Sequence, residues 1–163
     1  MDEIVSLCKD VCLQKLRDTE DFSQVEHFAL QLMNSCVIDG LSQALAEFDQ
    51  VLYEERDQGL YVKDRISRTL ITTVGPMRIT RRRYVNSENS DTVCLLDEIC
   101  DLPERSRVSN GFSEMISSVA AVSSVRAACG LYGFYTGVTV SPSTVFACGS
   151  RDDQCACKLR AAG

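Results

Sequence analysis

Two runs of strand-favouring residues on either side of Gly75-Pro76 constrain the fold of this chain more than any other feature. The first run extends from Ile66 to Val74 and the second from Ile79 to Val85. β-branched and aromatic residues favour strands, and a Gly-Pro pair breaks the run and favours a turn. The segment therefore predicts a thin antiparallel β-ribbon, because neither face of the second run is purely apolar. The polar loop at 86–91 is followed by TVCLLDE, which offers a third short strand.

The same segment reverses the charge of an acidic protein. Residues 1–62 carry 13 acidic and 4 basic side chains, residues 63–83 carry 1 and 7, and residues 84–163 carry 9 and 6, so the net charge is −6. A positive patch of this kind is an electrostatic footprint for a polyanion such as DNA. The alternative is a solvated strand face.

The segments before the ribbon have helical periodicity. Apolar residues recur at steps of three to five over 3–17 and over 22–57, which predicts two amphipathic helices, the second one long. The acidic end of the second helix, EFDQVLYEERDQ, is predicted to be a solvated outer face. Simple helical packing is the alternative to any catalytic pairing of its carboxylates.

The segments after the ribbon are helical again. Residues 99–110 contain Pro103 and alternating charges, and are predicted to form a connector. Apolar spacing predicts helices over 112–120 and, after a Ser123-Ser124 cap, over 125–132. Gly137 offers a helix stop, and Ser141-Pro142 is a strong helix start. This order is a helix-turn-helix layout, although three short packed helices are also a common structural arrangement.

Composition excludes several classes of protein. Apolar content of 45% and charged content of 25% are typical of a globular domain, and no apolar run approaches the roughly 20 residues of a membrane span. The acidic N-terminus lacks the layout of a secretory signal, so we expect a cytoplasmic protein without membrane contact. The nine cysteines lack the paired spacing of a zinc site, so we expect reduced structural thiols and no bound metal.

The order of these motifs resembles the N-terminal half of the ISLre-type insertion-sequence transposases, which are also filed as an uncharacterised protein family. The resemblance covers about residues 22–146. The motifs that carry it are the acidic helix end, the threonine-rich strand, the Gly75-Pro76 turn, the RRRY strand end at 81–84, LLDE at 95–98 and the Ser141–Val145 helix start.

The resemblance implies a protein that binds the ends of a mobile element. In such families the catalytic acidic residues lie in an RNase-H-like domain downstream of the helix-turn-helix, where a divalent metal is used. We expect this chain to stop before that domain, so it is assigned no catalytic residue, cofactor or enzymatic activity. Asp152-Asp153 is expected to be solvated. The tail RDDQCACKLRAAG has no amphipathic period, and our hypothesis is a frameshift or a decayed element, which sequencing of the locus would test.

Together these arguments predict an α+β fold with long N-terminal helices, a short antiparallel β-ribbon, a helix-turn-helix-like bundle and a disordered or irregular tail. The predicted units are a helical arm over 1–60, the arginine-rich ribbon over 61–98, the helix-turn-helix-like region over 99–147 and the tail over 148–163. The expected function is that of a DNA-binding transposase fragment without transposition activity of its own. The expected DNA-binding residues are Lys63, Arg65, Arg68, Arg78, Arg81, Arg82, Arg83, Ser141, Ser143 and Thr144.

Three alternatives stay open. Residues 3–57 could pair with a full-length transposase or with another copy, as an interaction module or inhibitor. A cysteine could act as a nucleophile with His27, the single histidine. The chain could also be a non-functional product of a decayed element.

Overall fold

Two helices open the chain. The computed structural model describes residues 2–19, 21–87, 90–102 and 106–144. Helix α1 spans Asp2–Asp18 and helix α2 spans Phe22–Glu55, which confirms both predicted N-terminal helices. Asp21 caps α2, because its side chain accepts the backbone N–H of Ser23 at 3.0 Å.

A long antiparallel hairpin follows. Strand β1 spans Leu60–Thr72 and strand β2 spans Gly75–Asn86, with a bulge between Val62 and Asp64. Gly75 has a φ of 138°, and a Cβ there would lie 2.8 Å from Ile38 Cδ1. A larger residue at the turn is therefore excluded both by its backbone and by helix α2.

The third strand is shorter than TVCLLDE suggested. Strand β3 contains only Thr92–Val93 and pairs with Tyr84 and Val85, so β2 is the middle strand of the sheet. The chain then turns into a short helix α3 over Leu95–Ile99, in which Leu96 is fully buried. The segment forms a helix and not a longer strand because a helical turn packs Leu95 and Leu96 against the hairpin.

Two further helices form the C-terminal part of the described chain. Helix α4 spans Asn110–Val122 and helix α5 spans Val125–Thr136, as the apolar spacing predicted. Ser124 caps α5 by accepting the N–H of Ala127 at 3.1 Å. Gly137 ends α5 in the left-handed conformation, and Pro142–Thr144 begin a new helical turn. The predicted tail over 148–163 lies outside the described residues.

Two apolar clusters form the core. One joins α2, the hairpin and α3 through buried side chains: Leu52, Leu70, Met77, Ile79 and Leu96. The other holds α4, α5 and the segment after α5 together: Val108, Phe112, Ile116, Ala128, Cys129, Tyr132 and Val140. The observed fold is therefore α+β, as predicted. Among the described helices, none is long and apolar enough to cross a membrane.

Candidate nucleic-acid interface

Cross-strand pairing sorts the hairpin residues onto two faces. On the inner face, Leu70 pairs with Met77, and both are buried against α2 and α3. On the outer face, Ser67 pairs with Thr80, and their hydroxyl oxygens lie 2.8 Å apart. The alternation of side chains along each strand divides the seven basic residues between the two faces, and the packing of α2 and α3 then decides which of them reach solvent.

Two of the predicted DNA-binding arginines converge on one buried carboxylate. Arg81 Nε lies 2.8 Å from Asp97 Oδ1, and Arg68 Nη2 lies 3.6 Å from the same oxygen. Asp97 belongs to α3, so this cluster fixes the short helix on the sheet. Burial lowers the pKa of Arg68, which the nearby Asp97 carboxylate opposes.

Arg82 is buried by helix α2. Its Nη1 lies 2.5 Å from Asp49 Oδ2, its Nη2 lies 2.5 Å from Gln50 Oε1, and its guanidinium lies 4.7 Å from the ring centre of Tyr53. Asp49 Oδ1 also accepts the backbone N–H of Arg82 at 3.1 Å. Helix α2 therefore covers the edge of β2 where β3 does not reach.

The Asp49–Arg82 pair corrects the prediction that the acidic end of α2 is a solvated outer face. Asp49 lies within that segment but is only 5% exposed, while its neighbours Glu47, Glu54 and Glu55 are exposed as expected. A buried carboxylate requires a partner, and Arg82 is that partner.

Arg83 forms a more accessible pair with Asp64 across the strands. Its Nε donates to Asp64 Oδ1 at 2.8 Å, and its Nη2 donates to Asp64 Oδ2. The hydrogen bonds from Arg83 lower the pKa of Asp64, and the same bonds raise the pKa of Arg83. Four of the seven basic residues, Arg68 and Arg81 to Arg83, thus neutralise acidic groups of the protein itself.

The other three basic residues face solvent. Lys63, at the bulge, and Arg65 and Arg78, on the outer face, are exposed. The exposed residues between the two arginines on that face carry hydroxyl groups: Ser67, Thr69 and Thr80. Among the described hairpin residues, Asp64 is the single acidic one, and it lies on the other face. We call this surface, with Lys63, the outer hairpin face.

The three hydroxyl residues among the predicted DNA-binding residues lie together at the start of the last described helical turn. Ser141 Oγ lies 2.8 Å from Ser143 Oγ and 3.0 Å from Thr144 Oγ1, and it accepts the N–H of Thr144 at 3.3 Å. Ser141 is therefore an N-cap, as its position before Pro142 predicted. Ser143 is exposed and Thr144 is half-buried.

The hairpin and the helical region are fixed to one another near the hairpin turn. Tyr132 of α5 donates its hydroxyl to the carbonyl of Thr72 at 3.0 Å. Ile71 forms a parallel bridge with Val108, whose flanking bonds are Ile71 N–H to Arg107 O at 2.8 Å and Ser109 N–H to Ile71 O at 2.9 Å. The outer hairpin face and the Ser141 turn therefore hold a fixed relative position.

Sequence reasoning missed the acidic partners of the arginines. Asp49, Asp64 and Asp97 are 33, 19 and 16 positions away from Arg82, Arg83 and Arg81. Only the Asp64 partner could have been predicted from the sequence, because a hairpin with its turn at Gly75-Pro76 places Asp64 opposite Arg83. The other two depend on how α2 and α3 pack on the sheet.

The described cysteines form no disulfide, and the single histidine packs beside an aromatic ring. The described cysteines, at 8, 12, 36, 94, 100 and 129, are free thiols, and burial raises the pKa of Cys94 and Cys100. His27 Nε2 lies 2.8 Å from Gln31 Nε2, and its ring lies 5.3 Å from that of Phe134. Within the described part of the chain, no three potential ligands lie close enough to bind a metal ion.

Comparison with known proteins gives one family. Residues 16–148 match the model of a family described as Uncharacterised protein family (UPF0236). The match covers all the elements from α2 to the Ser141 turn. No curated protein matches the sequence.

Proposed function

The chain belongs to the uncharacterised protein family UPF0236, and we propose that it is the DNA-binding N-terminal fragment of a transposase-like protein. The observation that carries the proposal is the outer hairpin face, where Lys63, Arg65 and Arg78 are exposed and where Asp64, next to Lys63, is already paired with Arg83. Because the chain resembles ISLre-type transposases, the DNA in this proposal is the end of a mobile element.

The chemistry of the outer hairpin face suits a phosphate backbone. Guanidinium and ammonium groups neutralise phosphates, and hydroxyl groups donate hydrogen bonds to phosphate oxygens. Such contacts supply affinity but no sequence information. Because the rest of the chain is acidic, we expect weak binding that decreases steeply as salt is added.

Base recognition in this proposal falls to the Ser141 turn. Serine and threonine hydroxyls discriminate bases less than a bidentate arginine or asparagine does. Ser141 is already used as the N-cap, so Ser143 is the residue best placed to contact DNA. We expect Ser143→Ala to change sequence preference slightly and to leave the salt dependence unchanged.

The ion pairs that Arg81, Arg82 and Arg83 form within the protein change how the proposal is tested. Replacing them removes partners of buried or half-buried carboxylates, so lost DNA binding would be confounded with lost folding. The informative variant is Lys63→Gln, Arg65→Gln, Arg78→Gln, because these side chains are exposed. Its binding to a mixed-sequence DNA duplex is measured by fluorescence anisotropy across a salt series.

If each of the three residues neutralises one phosphate, the slope of log K against log salt becomes shallower by about 2.7. The matched control replaces the three basic residues of α1, Lys9, Lys15 and Arg17, and removes the same charge elsewhere. The proposal fails if both triple variants weaken binding equally, or if the wild-type chain does not bind the duplex at low salt.

A second candidate function is a protein-interaction module built from the N-terminal helices. The observation that favours it is the number of large apolar side chains that α1 and α2 expose, such as Ile4, Leu7, Met33 and Leu41. A pull-down with a full-length relative would test pairing with a transposase. In that case, polar substitutions of the exposed apolar residues of α2 should abolish capture of the relative. The Lys63→Gln, Arg65→Gln, Arg78→Gln variant should still capture it.

A further inference from the structure

Helices α4 and α5 form an apolar cavity beside the hairpin turn, with a volume of about 210 Å³. It is lined by Thr73, Val119, Leu131, Tyr132 and Tyr135, together with three further apolar side chains of the two helices. Leu131 and Tyr135 are 45% and 48% exposed, so the cavity opens to solvent beside them. Sites for drug-sized ligands have volumes of about 300 Å³ or more, so this cavity fits one small ring system and nothing larger.

One wall of the cavity is the ring of Tyr132, which is held in place from two sides. Its hydroxyl donates to the carbonyl of Thr72 at 3.0 Å, and its ring meets the ring of Phe112 edge-on with 5.0 Å between the centres. The wall is therefore fixed before any ligand arrives. A preformed apolar cavity of this kind binds flat apolar groups, because they make contacts with its walls that water does not make.

The cavity lies at the turn end of the outer hairpin face. Thr69 and Arg78 form the last exposed pair of that face. The next β1 residue with the same orientation is Ile71, which packs against the apolar cluster of α4 and α5. Thr73 follows two residues later and lines the cavity, within roughly 13 Å of the Thr69–Arg78 pair at about 3.3 Å per residue. A nucleic-acid strand on the outer hairpin face therefore reaches the cavity within a few nucleotides.

We infer, on the basis of the proposed function, that this cavity receives one unpaired base of the DNA whose phosphates contact the outer hairpin face. A nucleobase is a flat ring that stacks on aromatic side chains, and it is attached to the phosphate backbone that Arg65 and Arg78 attract. In this arrangement Tyr135 stacks on the base at the mouth of the cavity. The Thr73 hydroxyl supplies a hydrogen bond to the edge of the base.

Charge favours a base over an apolar side chain of a partner protein. Both groups fit the apolar walls, but an apolar side chain gains nothing from the exposed Arg65 and Arg78, whereas each nucleotide brings a phosphate to them. The helical region also presents little negative charge to a phosphate. Residues 109–144 contain one carboxylate, Glu114, and one guanidinium, Arg126, in a chain that is otherwise acidic.

The base must be unpaired to enter the cavity. A paired base is stacked within the duplex, and its extrusion has a cost that is least for a base that is mismatched or already single-stranded. The chain should therefore prefer a duplex with one unpaired nucleotide to a fully paired duplex of the same length.

Fluorescence anisotropy with three duplexes of equal length tests this preference. One duplex is fully paired, one carries a single unpaired thymidine, and one carries an unpaired abasic nucleotide at the same position. The abasic duplex keeps the backbone of the thymidine duplex and lacks only the base, so the ratio of the two Kd values measures the contribution of the base. We expect the thymidine duplex to bind about tenfold more tightly than the abasic duplex, which corresponds to one base–aromatic stack.

Variants of the lining test whether the cavity is the site. Val119→Phe fills the cavity from α4 and should remove the difference between the thymidine and abasic duplexes. The matched control is Val122→Phe, because Val122 lies on the same helix, is 87% exposed and does not line the cavity. At the mouth, Tyr135→Leu should reduce the difference and Tyr135→Phe should keep it, since stacking requires the ring and not the hydroxyl. Circular dichroism shows whether each variant is folded.

The outer hairpin variant separates this inference from the proposed function. The Lys63→Gln, Arg65→Gln, Arg78→Gln protein should bind all three duplexes more weakly and keep the ratio between the thymidine and abasic duplexes. A wild-type chain that binds none of the duplexes would refute the proposed function and this inference together. Equal binding of the thymidine and abasic duplexes by the wild type, or equal losses in Val119→Phe and Val122→Phe, would overturn this inference alone. If Val119→Phe then loses capture of a full-length relative, the cavity receives a protein side chain and not a base.

Discussion

Asp49 of helix α2 accepts both the backbone N–H and the guanidinium of Arg82 in strand β2, at 3.1 and 2.5 Å. The Asp49 carboxylate thereby satisfies a backbone N–H at the edge of β2 and neutralises the buried guanidinium of Arg82. The contact connects an acidic helix to the most basic segment of the chain. It explains why that segment is less available to a polyanion than its composition indicates.

Removal of Asp49 is expected to destabilise the protein strongly. Asp49→Ala leaves Arg82 buried and without its carboxylate, which costs about 3 to 5 kcal/mol in comparable pairs. Urea unfolding measures the change in the free energy of unfolding. The control is Arg65→Ala, opposite Arg82 but exposed, which should change that free energy by no more than about 0.5 kcal/mol. Equal losses in both variants would show that the pair is not a structural element.

The Asp64–Arg83 pair predicts a pH dependence of stability. The pKa of Asp64 is lowered in the folded state by its hydrogen bonds to Arg83. Its contribution to stability is therefore fully present above the unfolded value of about 3.9 and is lost as the pH falls through the lowered folded value. The difference in stability between the wild type and Asp64→Asn should thus disappear in acid. In an Arg83→Gln background, Asp64→Asn should have no such pH-dependent effect.

Cys94 is expected to react slowly with alkylating reagents. Burial raises the pKa of its thiol, although the nearby Arg81 partly opposes this. Less thiolate is then present near neutral pH. Iodoacetamide labelling followed by peptide mass spectrometry should find Cys94 modified later than the exposed Cys36. In urea the two rates should become similar, and equal rates in the native protein would contradict the prediction.

The hydroxyl of Tyr132 is expected to stabilise the contact between the hairpin and the helical region. Tyr132→Phe removes the hydrogen bond to Thr72 O and leaves that carbonyl without this donor, which costs about 1 to 2 kcal/mol. Thermal unfolding measures the loss. Tyr135→Phe is the matched control, because Tyr135 is 48% exposed. A Tm that falls equally in both variants would argue against a specific role for the Tyr132 bond.

Local sequence patterns predicted most of the elements correctly. The apolar spacing of α2, α4 and α5 and the Ser124 and Gly137 signals act within a few residues, so they can be recognised without the tertiary structure. The TVCLLDE segment was harder, because Leu95 and Leu96 suit a strand and a helix equally well. The choice of helix α3 depends on burial of Leu96 against the sheet and on the Asp97 cluster with Arg68 and Arg81.

The candidate site was predicted only in part. Sequence identified the basic hairpin, and alternation along the strands separated Arg78 from Arg81. It did not separate Arg78 from Arg82, which lie on the same face and differ because α2 covers only one of them. A residue pattern states where a side chain points relative to its strand, but not which element packs over it.

The sequence by itself determined the antiparallel hairpin with its turn at Gly75-Pro76, the order of the helices, and the concentration of seven basic residues in residues 63–83. The tertiary structure decided which of those residues are paired. Arg68, Arg81, Arg82 and Arg83 contact carboxylates that other elements or the facing strand bring to them, whereas Lys63, Arg65 and Arg78 remain exposed. The physical reason is that a buried charge must be compensated, and distant acidic residues such as Asp49 and Asp97 become neighbours only when the helices pack on the sheet.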